Sequence, residues 1–317
     1  MVIEVWYPST PDAEAELQEY PGVNLAEDAF RDEAWDLRGA PYPVVAFSHG
    51  NGGIRFQSSF LCVWLASHGF VVVAPDHKHN TLLDLDPRFT LQVAAERPTD
   101  IANSVDLIQD TFPNQLDLSD GYAVVGHSFG AWTSLVVGGG EVDPDELYDH
   151  CSTTYEVGCG FFDLSDLEAL GTMSQAVPDP RASVAVALAP GFTYTFGADG
   201  SGLATNVPTL VMGGDLDGDL PYEQEIRPVY EKLPESASLA TLVNAAHFGF
   251  SDMCEVVPFF DECEGEDAGF MAIDRVHAIT NTLTTAWIRS RWRGEQTEES
   301  HLSATEFEVE GDVIWEE

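Results

Sequence analysis

The G-x-S-x-G pentad at residues 126–130 restricts the fold of this chain more than any other feature of its sequence. An apolar run at 122–125 leads into it, and a helix-compatible stretch at 131–137 follows. Strand, sharp turn and helix, in that order, form the setting in which this motif presents a serine as a nucleophile. Residues beside the serine must be small in so tight a turn, which explains the glycines. We therefore predict that Ser128 is a catalytic nucleophile.

Continuous apolar runs alternate with stretches of helical spacing along most of the chain. Runs that are apolar on both faces are typical of parallel strands covered by helices. The alternation predicts an α/β fold, with a mostly parallel, doubly wound sheet and helices on both faces. The predicted strands are 2–6, 43–48, 70–74, 122–125, 184–189, 209–212 and 239–243, and the predicted helices are 60–68, 99–112, 131–137, 222–233 and 268–291.

Two segments depart from this alternation. Residues 138–182 are acidic and contain two of the cysteines, so we predict a lid-like insertion near the active site. Residues 294–317 are polar and acidic, and we predict a C-terminal tail. The remainder is expected to form one domain over residues 1–293, since a chain of 317 residues often folds as a single α/β domain.

The charge of the chain is strongly negative. Asp and Glu number 54 against 13 Lys and Arg, which gives a formal net charge of −41. Such a field repels nucleic acids and anionic membranes, so binding to a phosphate backbone is excluded. The composition predicts a highly solvated acidic surface of the kind found in halophilic proteins. We expect its self-repulsion to make the fold more stable in salt.

The five cysteines indicate the compartment. Cys151 and Cys159 are close in sequence, as are Cys254 and Cys263, and Cys62 is left over in an apolar helix pattern. Two local disulfides are expected, which favours a secreted or periplasmic protein. Metal binding is the alternative, but no C-x2-C spacing or nearby histidine pair supports it. The chain shows neither an apolar run of about 18 residues nor a signal peptide, which could have been removed.

A serine nucleophile needs a base, and His247 is the candidate. It directly follows the predicted strand 239–243, and sites in open parallel sheets lie beyond the carboxyl ends of the strands. His127 neighbours the serine, but its side chain should leave the turn in another direction. His77 and His79 also follow a strand, yet no matching acid is evident for them. We interpret those two as cleft-edge or surface residues.

The acid that orients the base is sought after another strand. Three aspartates follow the predicted strand 209–212, at positions 215, 217 and 219. Asp217 lies at the apex of the strand-to-helix loop and is our prediction. Asp215 is the alternative, whereas Asp219 is placed near the next helix N-terminus, where its charge suits the helix dipole.

An oxyanion hole needs two preorganised N–H groups. We predict that Phe129, the residue after the nucleophile, supplies one. The second is assigned to Asn51, because the glycine-rich loop 49–53 follows the strand 43–48 at the correct end of the sheet. Gly50, Trp132 and Phe192 are predicted to contact the substrate. For the two aromatic residues, packing in the core is the alternative.

The motifs together resemble the α/β-hydrolase superfamily from about Val2 to Arg291, with the order Ser128, Asp217, His247 of that superfamily. The H-G-x-G loop resembles the oxyanion loop of lipases and esterases. More narrowly, the chain resembles bacterial dienelactone-hydrolase-like and platelet-activating-factor-acetylhydrolase-like serine esterases, with cutinases and polyester hydrolases as near relatives. The stretches that carry this resemblance are 5–8, 47–53, 65–72, 97–101, 126–130 and 247–252.

The resemblance implies cleavage of carboxylic esters through an acyl-enzyme, without a cofactor or a metal. Dienelactone hydrolases proper use a cysteine, so Ser128 favours ester substrates instead. An aromatic-lined open cleft would favour polymeric esters such as PET, whereas an insertion folded over Ser128 would favour small soluble esters. A non-catalytic binding protein, a peptidase and an acyltransferase remain alternatives, because the same fold and triad serve several functions. The expected partner is a small-molecule or polymeric ester, and the expected state is a monomer.

Overall fold

A computed structural model describes residues 1–12, 14–20, 29–154, 158–296, 301–302 and 311–317 of the chain. Within these ranges the strands form one nine-stranded sheet. The strands are β1 (Ile3–Trp6), β2 (Tyr42–Ser48), β3 (Val71–Pro75), β4 (Leu116–Asp117), β5 (Tyr122–His127), β6 (Ala182–Leu188), β7 (Thr209–Gly214), β8 (Ser238–Leu242) and β9 (Val313–Glu316).

The sheet is mostly parallel, as the sequence predicts. Its order is β1-β3-β2-β5-β6-β7-β8-β9, with the short β4 paired to the start of β2. Strands β2, β3, β5, β6, β7 and β8 run parallel, while β1 and β9 are antiparallel to their neighbours. The carboxyl ends of β2, β3, β5, β7 and β8 therefore meet at one edge, where polar residues that follow these strands converge.

Helices cover both faces of the sheet. In β2, Val45 and Phe47 enter one apolar cluster while Val44 and Ala46 enter the other, since successive strand residues point to opposite faces. Both faces are thus buried, which explains the continuous apolar runs. The helices are α1 (Ser59–Ser67), α2 (Thr90–Thr111), α3 (Phe129–Val137), α4 (Pro144–Thr153), α5 (Leu167–Thr172), α6 (Arg227–Lys232), α7 (Met253–Val256) and α8 (Ile273–Trp287).

Helix α2 begins at Thr90, well before the predicted start at Thr99. Pro98 lies inside the helix and lacks the N–H that would bond to the preceding turn, which usually marks a helix start. The turns before it are retained because Leu91 and Val93 are buried in the core. Packing therefore overrides the local cost of the proline.

The C-terminal segment 294–317 is not only a polar tail. Strand β9 lies within it and pairs with β8, so that Ala240 lies opposite Trp315. Both guanidinium Nη atoms of Arg227 bind the carboxylate of Glu316 at 2.8 and 3.0 Å. The end of the chain is thus part of the sheet, while most of the remaining segment lies outside the described residues.

The predicted insertion at 138–182 contains α4 and α5. Both expected disulfides are present, Cys151–Cys159 here and Cys254–Cys263 after β8, and Cys62 is a buried free thiol. Across the part of the chain that the structure describes, no helix is long and apolar enough to span a membrane.

Candidate active site

Ser128 lies at the turn between β5 and α3. Its backbone has φ 58° and ψ −119°, a strained conformation of the kind that clusters at functional sites. A Cβ atom at position 126 would lie 2.0 Å from the carbonyl oxygen of Gly130, and one at position 130 would lie 1.9 Å from that of Ser48. Both contacts are impossible, so the two glycines are required by the close approach of the backbone.

The structure brings Ser128, His247 and Asp217 together in one hydrogen-bonded series. His247 Nε2 lies 3.0 Å from Ser128 Oγ, and His247 Nδ1 lies 2.7 Å from Asp217 Oδ2. The second carboxylate oxygen of Asp217 accepts the backbone N–H groups of Asp219 and Leu220 at 2.9 and 2.7 Å. Asp217 is therefore oriented by its own loop, and its free oxygen faces the imidazole.

The alternative acid, Asp215, does not contact His247. Its Oδ1 accepts the backbone N–H of Asn244 at 2.6 Å, and the residue is exposed. Asp219 is exposed as well and contributes its backbone N–H to Asp217. Of the three aspartates of this loop, only Asp217 bonds to the histidine among the described residues.

Electrostatics suit His247 to proton transfer. Burial lowers the pKa of its imidazole, but the Asp217 carboxylate, with smaller contributions from Asp219 and Glu262, raises it by more, and the pKa of His247 lies above its ordinary value. His127, in contrast, has its pKa held well below the ordinary value by burial and by His247. Its ring lies 4.8 Å from that of His247 and stays neutral.

The loop after β2 lies against the serine. A Cβ atom on Gly50 would lie 3.3 Å from the Cβ of Ser128. The N–H of Gly50 donates to Gln57 Oε1 at 2.9 Å, and its carbonyl accepts His49 Nδ1–H at 2.7 Å. Within the described ranges, the N–H groups of Asn51 and Phe129 have no acceptor in the protein. These are the two donors that the sequence predicts.

A completely buried arginine, Arg97, supports this loop from below. It donates to the carbonyl of His49 and, at 2.7 Å, to Asn80 Oδ1, while Asn80 Nδ2 donates to Asn51 Oδ1 at 2.7 Å. Its guanidinium lies 4.5 Å from the ring centroid of Phe129. Burial lowers the pKa of Arg97 to about 9, so the cation persists at neutral pH.

The interpretation of His77 as a cleft-edge or surface residue is wrong. Its side chain is buried, Nδ1 lies 2.9 Å from Asp100 Oδ2, and Nε2 lies 3.0 Å from Ser48 Oγ. The matching acid, Asp100, lies on α2, within the helix that the sequence predicts over residues 99–112. His77 therefore belongs to the polar network under the loop 49–53. His79 is half-buried and stacks on Phe89.

The predicted aromatic contacts to substrate are not supported. Trp132 is completely buried, and its Nε1–H donates to Thr195 Oγ1 at 2.8 Å, so it is a core residue. Phe192 is only 4% exposed and stacks on Phe161 at 5.2 Å. The sequence singles out these two residues because their side chains are large and apolar, and in the structure those side chains are buried against the sheet.

Phe161 is a candidate site residue that the sequence does not single out. It belongs to the segment 138–182, is partly exposed, and meets the ring of Phe129 edge-on at 4.9 Å. The segment 138–182 thus reaches the residue after the nucleophile, beside the disulfide of Cys159. No cluster of three metal-ligating side chains occurs anywhere in the described ranges.

The chain is similar in sequence to known esterases. The family model for platelet-activating factor acetylhydrolase, isoform II, matches residues 16–84. Cutinase est1 of Thermobifida alba is 30% identical over 212 residues, which are 65% of this chain and 54% of that protein. Cutinase 2 of Thermobifida cellulosilytica is 29% identical over 209 residues, 65% of this chain and 61% of that protein. The chain thus matches little more than half the length of these relatives.

The structure is also similar to a solved one, a ferulic acid esterase from Streptomyces cinnamoneus. The TM-score is 0.62 at 18% identity, over 99% of this chain and 88% of that one. At this identity the likeness concerns the fold alone, and it confirms the α/β-hydrolase fold. The predicted resemblance to acetylhydrolase-like and cutinase-like proteins is confirmed by the sequence matches.

Proposed function

We propose that this protein is a serine hydrolase that cleaves carboxylic esters through an acyl-enzyme. The observation that carries the proposal is the continuous series from Ser128 Oγ through His247 to Asp217, with contacts of 3.0 and 2.7 Å. A serine hydroxyl within reach of an oriented imidazole can be activated as a nucleophile. The similarity to cutinases and to a platelet-activating factor acetylhydrolase family supports the ester as the bond cleaved.

In the proposed mechanism, Ser128 Oγ attacks the ester carbonyl carbon while His247 Nε2 accepts the hydroxyl proton. Asp217 accepts the Nδ1–H of the imidazole and stabilises the cation that forms. The tetrahedral oxyanion is bound by the N–H groups of Asn51 and Phe129, each of which typically lowers the barrier by about 3 kcal/mol. The C–O bond to the alcohol then breaks, and His247 returns the proton to the leaving oxygen.

Deacylation repeats these steps with water. His247 takes a proton from a water molecule, which attacks the acyl carbon, and the second oxyanion collapses to the free acid and Ser128. Every proton is carried by His247, so the proposed cycle needs no cofactor. A raised pKa of His247 suits it to accept a proton and release it near neutral pH.

A polymeric ester is the second candidate substrate, and exposed apolar side chains beside the site favour it. Leu83 is 84% exposed in the segment that packs on the loop 49–53, where Leu85 meets Gly52. On the histidine side, Phe259 is 81% exposed, next to Phe260, whose ring lies 4.8 Å from Phe248. On a chain of net charge −41, such exposed apolar groups are suited to contact the surface of an uncharged, apolar polymer.

The two disulfides, together with the cutinase likeness, support function in an oxidising compartment outside the cytoplasm. The buried state of Trp132 and Phe192 removes the aromatic cleft that was expected to favour polymers. We therefore rank small soluble esters first and polymers second.

The test is turnover of p-nitrophenyl esters of increasing acyl length by the whole chain. We expect hydrolysis by the wild type, a loss of at least about 10³-fold in Ser128→Ala, and no loss in Ser174→Ala, whose serine is exposed. An activated phosphonate should label Ser128 alone. Undiminished turnover in Ser128→Ala, or labelling elsewhere, would overturn the proposal. Absence of turnover across the panel would instead favour a non-catalytic binding protein.

A polyester film distinguishes the two substrate classes. We expect the Leu83→Ser, Phe259→Ser double variant to retain turnover of soluble esters. If polymers are substrates, the same variant should release less soluble product from the film than the wild type does. If the wild type releases none, the second candidate is eliminated.

A further inference from the structure

Gln57 connects two loops that the proposed mechanism needs. It lies in the segment that connects β2 to α1, and its side chain is buried. Oε1 accepts the N–H of Gly50 at 2.9 Å, and Nε2 donates to His127 Nδ1 at 2.8 Å. One amide thereby uses both of its ends, one on the oxyanion loop 49–53 and the other on the residue before Ser128.

Two hydrogen bonds of His127, one to the backbone oxygen of His247 and one from Gln57, fix the tautomer and orientation of that ring. A carbonyl oxygen can only accept, so His127 Nε2 carries the proton that bonds to the backbone oxygen of His247 at 3.0 Å. The opposite nitrogen, Nδ1, then accepts from Gln57. The series runs in one direction from Gly50 through Gln57 and His127 to the backbone of the catalytic base.

The contact with Gly50 fixes a peptide plane of the oxyanion loop. The peptide between His49 and Gly50 is held at its oxygen by Arg97 and at its nitrogen by Gln57. The next peptide is held at its oxygen by His49 Nδ1. In a trans peptide the N–H points opposite to the carbonyl, so the N–H of Asn51 is directed away from His49 and left without a protein acceptor.

The backbone around Gln57 is also joined to the segment that follows His247. The carbonyl of Gln57 accepts the N–H of Asp252 at 2.7 Å, and Ser58 Oγ donates to the carbonyl of Phe250 at 3.0 Å. Gln57 therefore cannot shift without moving the histidine loop. Its side chain and its main chain both tie the oxyanion loop to the base.

We propose that Gln57 is a positioning residue that holds the oxyanion donor of Asn51 and the base His247 in one geometry. This rests on the proposed ester hydrolysis. Gln57 touches neither the substrate nor the reacting atoms; it acts through Gly50 and His127. The oxyanion forms only in the transition state, so loss of the Gln57 side chain should lower kcat and leave KM nearly unchanged.

The first test compares Gln57→Leu with the matched control Gln92→Leu, which removes an exposed glutamine that bonds to Glu96. For Gln57→Leu we expect a fall in kcat of roughly 10- to 100-fold, a KM within about twofold of wild type, and an equal fall in the rate of phosphonate labelling. The control should keep wild-type values. An unchanged kcat, or a rise in KM that accounts for the loss, would overturn the proposal.

A double-mutant cycle with His127→Phe tests whether the two residues act as a unit. If they do, Gln57→Leu adds little to the loss caused by His127→Phe. The fold-loss in kcat of the double variant is then far smaller than the product of the two single fold-losses. Multiplicative losses would show that the residues act separately and contradict the proposal.

A readout without substrate separates this proposal from the function. Imidazole nitrogen chemical shifts should report His127 as the neutral Nε2–H tautomer in the wild type, and the Nδ1 signal should move in Gln57→Leu, where this nitrogen loses its donor. If the wild type cleaves no ester but the Nδ1 signal still depends on Gln57, the proposed function fails and the series remains. If the wild type is active and the Nδ1 signal is the same with and without Gln57, only the present proposal fails.

Discussion

His247 Nδ1 lies 2.7 Å from Asp217 Oδ2, although Asp215, two residues earlier on the same loop, has the same side chain and bonds instead to the N–H of Asn244. The backbone around each aspartate determines which of the two contacts His247. Asp217 is buried, and its other oxygen accepts two N–H groups of its own loop, which turns the free oxygen toward the imidazole.

The two aspartates should therefore differ sharply on substitution. We expect Asp217→Asn to lower kcat/KM by about 10² to 10⁴-fold, because the neutral amide neither stabilises the imidazolium nor selects the correct tautomer. Asp215→Asn serves as the matched control and should stay within a few-fold of wild type. Steady-state kinetics on one p-nitrophenyl ester decide the matter, and a reversed order of losses would contradict the assignment of Asp217.

The rate should depend on pH through His247. Only the neutral imidazole accepts a proton, so kcat/KM should fall tenfold per pH unit below its pKa. Burial lowers that pKa, but the hydrogen bond and charge of Asp217, together with the charges of Asp219 and Glu262, raise it by more, and the acidic limb is expected above the ordinary value of 6.5. In Asp217→Asn the raising charge is absent, and the limb should move to lower pH. A limb that stays in place would contradict this coupling.

Alanine should not be tolerated at the glycines of the turn. A Cβ at position 126 would lie 2.0 Å from the Gly130 carbonyl oxygen, and neither backbone segment can move aside. We expect Gly126→Ala to cost about 4 kcal/mol or more in the free energy of unfolding, or to give no folded protein. Gly160→Ala is the control, since a Cβ there meets no atom within 4 Å. Thermal unfolding of both variants gives the comparison.

Asp252 should make stability depend on pH. Burial raises the pKa of its carboxyl to about 7, although Ser59 Oγ and the N–H of Phe60 stabilise the charged form. Because the pKa of Asp252 is raised in the folded state, its contribution to stability is fully present below about pH 4 and is lost as the pH rises through about 7. Asp252→Asn removes this cost and keeps an acceptor oxygen for both donors.

We therefore expect Asp252→Asn to unfold at a higher temperature than wild type at pH 8, with the difference shrinking toward pH 4. Asp110→Asn, at an exposed position of α2, should show no such trend. A variant less stable than wild type at pH 8 would mean that the charge of Asp252 is needed rather than costly.

Salt should stabilise the fold. With 54 acidic and 13 basic side chains, the compact state concentrates like charges that the unfolded chain can separate. Raising NaCl from about 0.01 to 1 M shortens the Debye length from about 30 to 3 Å and screens this repulsion. We expect the Tm to rise over that range, and a constant Tm would refute the effect.

Much of the fold could be predicted because the parallel strands are buried on both faces. That burial leaves continuous apolar runs, and the residues after β5, β7 and β8 then fall at one end of the sheet. Ser128, Asp217 and His247 could be placed by this rule, although their roles stay predictions until activity is measured. The two short-range disulfides could be predicted from the spacing of the cysteines alone, since the two cysteines of each pair are separated by only 8 or 9 residues.

What could not be predicted depends on side-chain direction and distant partners. His77 bonds to Asp100, 23 positions away on α2, and the local pattern around neither residue indicates this contact. Gln57 lies 70 positions from His127, and nothing in either local pattern indicates the contact. Trp132 was misjudged because an apolar aromatic after the nucleophile can face the sheet or the cleft, and sequence alone does not say which.

Strand β9 has a consequence for how copies of the chain can associate. An edge strand of a sheet offers unpaired N–H and C=O groups to any neighbouring chain, and β8 would be such an edge. The chain occupies that position with its own final residues, fastened by Arg227 to Glu316. Growth of the sheet from β8 into a second molecule would first require this strand to detach. The outer edge of the sheet is thus β9, a strand of only four residues, and ending the chain before Val313 would expose the longer, completely buried β8 as the edge in its place.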